Sequence, residues 1–223
     1  MSGGKDGEVN RLTNAEELLS GAYGLKSSAD NIEYYKKFAP IYDQQFAAAM
    51  DYTYPSVVAG EFLKHGKSNI GSVLDVGCGT GLVAERLADL PAVDGVDIST
   101  DMLAVAEQKN FYRALYCQDL NCGVGQLPGG YAGVVSAGTF THGHLGPEVI
   151  TLLLDVGASG CLYCLGINAA HYQNEDFQPV FDRLLQEDAI TDFQSSTHAI
   201  FNAEGGQHAE DRALVTVFYK NRS

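Results

Sequence analysis

Val73-Leu74-Asp75-Val76-Gly77-Cys78-Gly79-Thr80-Gly81-Leu82-Val83 decides how the rest of the chain is read. Val73 to Val76 is a short apolar run, partly β-branched, of the kind buried on both faces in a central parallel strand. Three alternate glycines follow. Without Cβ atoms they allow a sharp turn and a close approach of the backbone to a ligand. From there Leu82, Val83, Leu87 and Leu90 recur at helical spacing, which predicts a helix over 82–90. Strand, glycine turn and helix in that order are how an open α/β sheet receives a nucleotide-like ligand.

The flanking sequence extends the pattern. Val93-Asp94-Gly95-Val96-Asp97-Ile98-Ser99 reads as a second strand, and Asp97 lies at its C-terminal end. An acidic side chain about 20 residues past the glycine turn is placed to accept hydrogen bonds from ribose hydroxyls. Ser99 or Thr100 can cap a helix over 101–109. Residues 113–117 read as a short third strand closed by Gln118-Asp119-Leu120, and 131–138 as a small-residued fourth strand. The fourth runs into Thr139-Phe140-Thr141-His142-Gly143-His144-Leu145. A helix opens near Gly146-Pro147-Glu148, with Pro in its first turn, and ends at 157–160. A fifth strand covers 161–168, a helix 177–187, and strands six and seven 190–201 and 214–219, joined by the polar loop 202–212.

Among the polar residues of 8–29, Leu12, Leu18, Leu19, Tyr23 and Leu25 are apolar, and Thr13-Asn14-Ala15-Glu16-Glu17 resembles a helix N-terminus. The segment reads as a lid helix, a homodimer contact or a solvated arm. The expected organisation is a flexible N-terminal arm or lid helix over 1–29 and one domain over 30–223, itself a lid (30–65) and a core (66–223).

Composition narrows the partners. The 223 residues fit one α/β domain with a modest addition, and 45% hydrophobic content is enough for its core. A net charge of −14 repels phosphate backbones, and no Lys/Arg cluster offsets it, so nucleic acid and anionic membrane surfaces are not expected partners. No apolar run reaches the roughly 18 residues of a membrane span. The polar start Met1 to Gly7 has no apolar signal region. Five cysteines without framework spacing fit a reduced, cytoplasmic setting. Cys161-x-x-Cys164 sits on a strand, where positions three apart face opposite sides, and reads as two packed thiols. His142-x-His144 lacks a third ligand, and no metal site is expected.

These motifs carry a resemblance. Asp75-x-Gly77-x-Gly79-x-Gly81 resembles motif I of the class I S-adenosylmethionine (SAM)-dependent methyltransferases. The resemblance implies a Rossmann-like seven-stranded sheet of order 3-2-1-4-5-7-6, its last strand antiparallel, under an N-terminal helical lid. It implies SAM as cofactor and S-adenosylhomocysteine (SAH) as product. On this pattern Gly77, Cys78, Gly79 and Gly81 pass close to the methionine part and ribose, Asp75 orients the loop and the SAM ammonium, and Asp97 holds the ribose. Ile98 and Met102 flank the adenine, Asp119 and the backbone at Leu120 meet its edge, and Ala137 lies at the end of strand four.

Tyr35-x-x-Phe38-Ala39-x-x-Tyr42-Asp43, then Tyr54-Pro55, and Ser136-Ala137-Gly138-x-Phe140-Thr141-His142-Gly143-His144 resemble one branch of that family. It is the methyltransferase-like branch named after the Williams–Beuren syndrome region, with Phe38 where a tryptophan is usual. There Tyr35 and Tyr42 would close over SAM and the substrate, and His142 is the first candidate general base beside the methyl group, with His144 and His171 behind it. The expected reaction is methyl transfer to a small-molecule acceptor. Two rivals stay open: a nicotinamide-dependent oxidoreductase, which the lack of a sixth-position glycine (Leu82) disfavours, and a SAM-binding protein without turnover.

Overall fold

The computed structural model describes residues 15–66, 71–125, 127–202 and 208–222. The helix start at Thr13-Asn14 and residues 203–207 of the loop 202–212 lie outside them. Helix α1 occupies 15–23 and buries Ala15, Leu19 and Ala22 against the chain's own core. Helix α2 (Ser28–Phe38) begins where the Ser27 side chain accepts from the Asp30 amide. A turn of 3-10 helix (Ala39–Ile41) and a wide π turn (Tyr42–Ala47) lead to α3 (Tyr54–His65).

The core alternates β1 (Val73–Val76), α4 (Leu82–Arg86), β2 (Val93–Asp97), α5 (Thr100–Lys109), β3 (Ala114–Cys117), β4 (Tyr131–Phe140), α6 (Glu148–Val156) and β5 (Gly157–Asn168). It finishes with α7 (Ala169–Asn174), α8 (Phe177–Gln186), β6 (Ile190–Ala199) and β7 (Arg212–Lys220). The strands form one sheet of order β3-β2-β1-β4-β5-β7-β6. β1 to β5 are parallel, and β7 runs antiparallel between β5 and β6. The expected strand order and antiparallel final strand are both present.

Side-chain alternation builds a core on each face. On β5, Cys161, Tyr163, Leu165 and Ile167 join Leu153 of α6 and Phe177 and Phe181 of α8. Leu162 and Cys164 join Val58 and Phe62 of α3 on the other face. The two cysteines are buried free thiols on opposite faces.

The sequence expectation has no helix over 169–174, ends the fourth strand two residues before Phe140 and starts the last strand two residues after Arg212; two further differences have a plain local cause. Helix α4 stops at Arg86, four residues short of Leu90, and residues 87–89 form a turn. Pro91 lies ahead and β2 begins at Val93, so the chain must turn back early. Residues 157–160, expected to end α6, are the start of β5. There β4 advances from Tyr131 to Gly133 while β5 advances from Gly157 to Leu162, an irregularity that Gly160 accommodates at φ +74°.

At the N-terminal edge of the parallel strands, a polar cluster ties the sheet together. Asp94 is fully buried on β2 and accepts from Arg113 (Nε 2.9 Å, Nη2 2.6 Å) and from the Tyr131 hydroxyl (2.9 Å). It joins β2, the entry to β3 and the start of β4. Arg113→Ala would leave this carboxylate with one neutral donor. We expect the urea unfolding midpoint to fall, because the buried carboxylate loses its cation while Arg113 itself gives up a half-exposed position. An unchanged midpoint would show that the cluster does not stabilise the sheet.

Candidate cofactor and acceptor site

The C-terminal tips of the parallel strands meet at one cleft, as an open α/β sheet requires at the reversal of strand order between β1 and β4. The cleft holds about 910 Å³ of empty space, part of it open to solvent. Its floor is the glycine turn after β1. Gly77, Gly79 and Gly81 have φ of +64°, +51° and +91°, which L side chains rarely adopt. At Gly77 a Cβ would collide with Thr139 of β4, while at Gly79 it would meet nothing within 4 Å, so the backbone there is bare toward the cleft.

Asp97 at the tip of β2 holds this turn. Its Oδ2 accepts from the Gly79 amide (2.9 Å) and its Oδ1 from the Ser99 amide (2.8 Å). Burial raises its pKa above the ordinary carboxylate value, against the lowering effect of these amides. A carboxylate has about four acceptor positions, so acceptor capacity remains for a ligand beyond the backbone amides that hold it. Ile98, Met102 and Leu120 give the neighbouring wall its apolar surface. Asp119 caps the turn at Leu120–Cys122, its Oδ1 accepting from the Asn121 amide at 2.9 Å.

Of the sequence candidates, Tyr35, Tyr42, Gly77, Cys78, Gly79, Asp97, Ile98, Met102, Asp119, Leu120, Ala137 and His144 line the cleft. Asp75 and Gly81 stand behind it. Asp75 is fully buried, and its Oδ2 accepts from the Tyr112 hydroxyl at 2.7 Å. Tyr112 also lies against Gly81 and Gly95, where a Cβ would approach its ring to 3.0 and 2.9 Å.

The three histidines take different places. His144 faces the cleft. Its Nδ1 is 2.9 Å from the His142 carbonyl, which can only accept, so Nδ1 carries the proton. Nε2 is therefore the acceptor for the Tyr35 hydroxyl at 3.2 Å. Burial lowers the pKa of His144 and keeps it neutral. His142 and His171 pack together behind it with ring centroids 5.1 Å apart. His171 is buried, its Nε2 donating to the Leu145 carbonyl at 3.1 Å.

Residues that sequence reading passed over complete the cleft. Asn31 of α2 and Gln118 after β3 both line it, each with a buried amide oxygen that has no partner. Asp43 ties the lid to the core by accepting from Thr80 (2.6 Å) and pairing with Lys109 (2.5 Å). Gln118 and Asp43 stood in quoted motifs without a role assigned to them, and Asn31 stood in none. The roles of Asn31 and Asp43 come from contacts with residues 112 and 37 positions away, which local patterns do not carry.

Among the described residues the lining contains no Lys or Arg. Asp97, Asp119, Asn31 and Gln118 all offer acceptor oxygens. Such a wall suits the hydroxyls and amino groups of an adenosyl ligand carrying an ammonium and a sulfonium, and it suits a pyrophosphate poorly. SAM fits the residues present on these grounds. Among the described residues no group of three or more His, Cys, Asp or Glu could hold a metal ion, and no helix is long and apolar enough to cross a membrane.

This sheet order, with a nucleoside-shaped cleft at the strand tips, is the architecture of a class I methyltransferase. Residues 73–156 match the family model described as a methyltransferase domain. Human methyltransferase-like protein 27 is 30% identical over 191 residues, covering 80% of this chain and 76% of that protein. The fold matches magnesium protoporphyrin IX methyltransferase from Synechocystis, solved with bound SAM (TM-score 0.63, 19% identity, 90% of this chain and 99% of that one). It also matches a TehB-like SAM-dependent methyltransferase from Corynebacterium glutamicum (TM-score 0.60, 19% identity, 85% and 99%). The chain belongs to the class I SAM-dependent methyltransferases, whose cofactor SAM leaves as SAH. Nothing in the fold or the relatives supports the oxidoreductase reading or loss of turnover.

Burial pushes the Asp75 pKa up to about 7 against the hydrogen bond from Tyr112, with the nearby Asp97 charge raising it further. This lies above the value of an unfolded aspartate, so the folded chain keeps the proton longer. The resulting stability is complete below about pH 4 and is lost as pH rises through about 7. Between about pH 5 and about pH 8 the melting temperature of the wild type should fall more than that of Asp75→Asn. Parallel slopes would place the titration elsewhere.

Proposed function

We propose that this protein transfers a methyl group from SAM to a small-molecule acceptor, with Asp97 as the ribose-binding residue. One observation carries the reading most strongly. The Asp97 carboxylate fixes the glycine turn through Gly79 and keeps acceptor capacity beside an apolar wall. Asp119, Leu120, Ile98 and Met102 would enclose the adenine, and Gln118 Oε1 would take its amino group. The bare backbone at Gly79, with Gly77, Cys78 and Ala137, would run along the amino-acid end. Asp75 would act on this loop from behind, through Tyr112, rather than by touching the ligand.

SAM supplies a methyl group already activated on a sulfonium. The protein's task is then alignment, exclusion of water and removal of a proton. Alignment of two reactants can contribute on the order of 7–11 kcal/mol of barrier reduction. Tyr35, Tyr42 and Tyr52 form the aromatic side of the cleft and would shield its reacting end. His144 is the general base in this reading. Its Nε2 is unprotonated and faces the cleft, and a positioned base contributes about 10²–10⁴-fold. His142 fixes its tautomer through the backbone carbonyl, and His171 backs the pair; both shape the base rather than replace it.

The similarity to the Williams–Beuren-type branch is supported by the convergence of its motif residues, Tyr35, Phe38, Tyr42, Tyr54 and His144, around connected cavities. The five free thiols support a reducing, cytoplasmic setting. The lid over 30–65 and the core over 66–223 would work as one domain, a reading that the Asp43 contacts between them support; the arm over 1–29 would be less separate than its boundary implies, because α2 (Ser28–Phe38) runs across it. A homodimer through the arm remains outside this reading, since α1 buries its apolar residues on its own chain.

Calorimetry tests the central assignment. Asp97→Ala should weaken SAM binding at least about ten-fold, because a hydrogen bond to a charged group contributes about 1.5–3 kcal/mol. Unchanged affinity would remove Asp97 from the ribose.

A further inference from the structure

A second cavity opens off the cleft. The two share Tyr35, Tyr42, Tyr52, Gly138 and His144 as walls. It encloses about 550 Å³ of empty space, part of it open, and its remaining surface is mainly aromatic, with Phe38, Phe46, Phe140 and Phe201 among its walls. Among the described residues no Asp, Glu, Lys or Arg lines it. The nearest carboxylate across its Tyr23 wall, Asp211, is already engaged by the Tyr23 hydroxyl and by His208, each at 3.0 Å.

From these walls we infer that this cavity is the acceptor pocket and takes an uncharged hydroxyaryl compound, methylated on its hydroxyl oxygen. The inference rests on the methyltransferase reading above. A charged acceptor would leave water for a chamber with no counter-charge, at a cost that aromatic walls do not offset. An anion would also meet the field of a chain of net charge −14. A flat ring, by contrast, finds edge and face partners on every side.

Two polar atoms set the orientation. Thr141 and Tyr54 line the cavity, are 7% and 1% exposed, and carry hydroxyls with no hydrogen-bond partner. Buried polar groups are almost always paired, so two orphans in one chamber mark the place of a ligand oxygen. A carbonyl or ether oxygen on the ring would accept from them. The reactive hydroxyl would lie at the shared wall, where His144 Nε2 takes its proton in place of that of Tyr35. In the transfer, the acceptor O–H bond breaks toward Nε2 and a new O–CH₃ bond forms. The methyl–sulfur bond opens at the same time, leaving its electron pair on sulfur, and the proton on His144 passes to solvent.

The test is a binding titration on the full chain. SAH is titrated first, and the SAH complex is then titrated with 3-hydroxyacetophenone, benzylamine and benzoate at neutral pH. The neutral phenol should bind at least about ten-fold more tightly than either charged ring. Thr141→Val and Tyr54→Phe should each weaken the phenol about five-fold, while SAH affinity holds and melting temperatures stay level or rise, because each change removes an unpaired buried hydroxyl. Equal or tighter binding of the amine or the carboxylate would overturn the inference. So would absence of phenol binding, or variants that bind it as the wild type does. A chain that fails to bind SAH in the first titration would overturn the methyltransferase reading itself, and this inference with it.

Discussion

The hydrogen bond from the Gly79 amide to the Asp97 carboxylate governs the rest of the site. It joins the turn after β1 to the tip of β2 across 18 residues of sequence. The turn itself exists only because three positions adopt left-handed backbone at no steric cost. Its other side is fixed by β4. Ser136 donates to the Val76 carbonyl at 2.8 Å, and Thr139 fills the space where a Gly77 side chain would stand. Three strand tips are thus locked in register around a stretch of bare backbone. Remove the carboxylate and the turn loses its anchor on one side, and the ligand loses its acceptor at the same moment.

Much of this architecture was legible because it is local. The run Val73–Val76, the alternate glycines and the acid at the end of β2 each announce themselves within a few residues. Opposite-facing cysteines follow from strand periodicity alone. Other features depend on distant partners. Leu87 and Leu90 keep helical spacing, yet α4 ends at Arg86 because the chain must reach β2. The sequence favours His142 over His144 as the base, yet it is His144 that lines the cleft. The turn between them separates them: Gly143 sits at φ +72°, and a Cβ there would strike the Leu25 carbonyl of the segment joining α1 and α2. That long-range contact turns one imidazole into the cleft and the other behind it. Asn31 gave no sequence signal and Gln118 only its place in a motif, since an unpaired amide oxygen is defined only by what surrounds it.

The charge distribution carries a second constraint. An acidic protein with two carboxylates and two amide oxygens on one wall, and no cation facing them, draws in a positively charged ligand and rejects phosphates. The second cavity departs from this completely. Among the described residues no charged side chain lines it, and its polar groups are hydroxyls, the Asn168 amide and the His144 imidazole. Two adjoining chambers of one cleft therefore select by opposite physics, one by acceptor-rich electrostatics and the other by apolar shape.

The lid ensures that the two chambers are not independent. Asp43 reaches down from the π turn to Thr80 in the glycine loop and to Lys109 at the end of α5. One residue earlier, Tyr42 forms part of the wall common to both cavities, its ring packed at 5.1 Å from Phe38 and 5.0 Å from Phe46. Tyr35, one helical turn before Phe38, meets His144. A ligand that braces the glycine loop therefore braces Thr80, then Asp43, and with it the tyrosine wall of the neighbouring chamber. Ordering this short path once costs conformational entropy once. A second ligand entering beside a wall already held still has less to order, so the first makes room for the second without any change of shape.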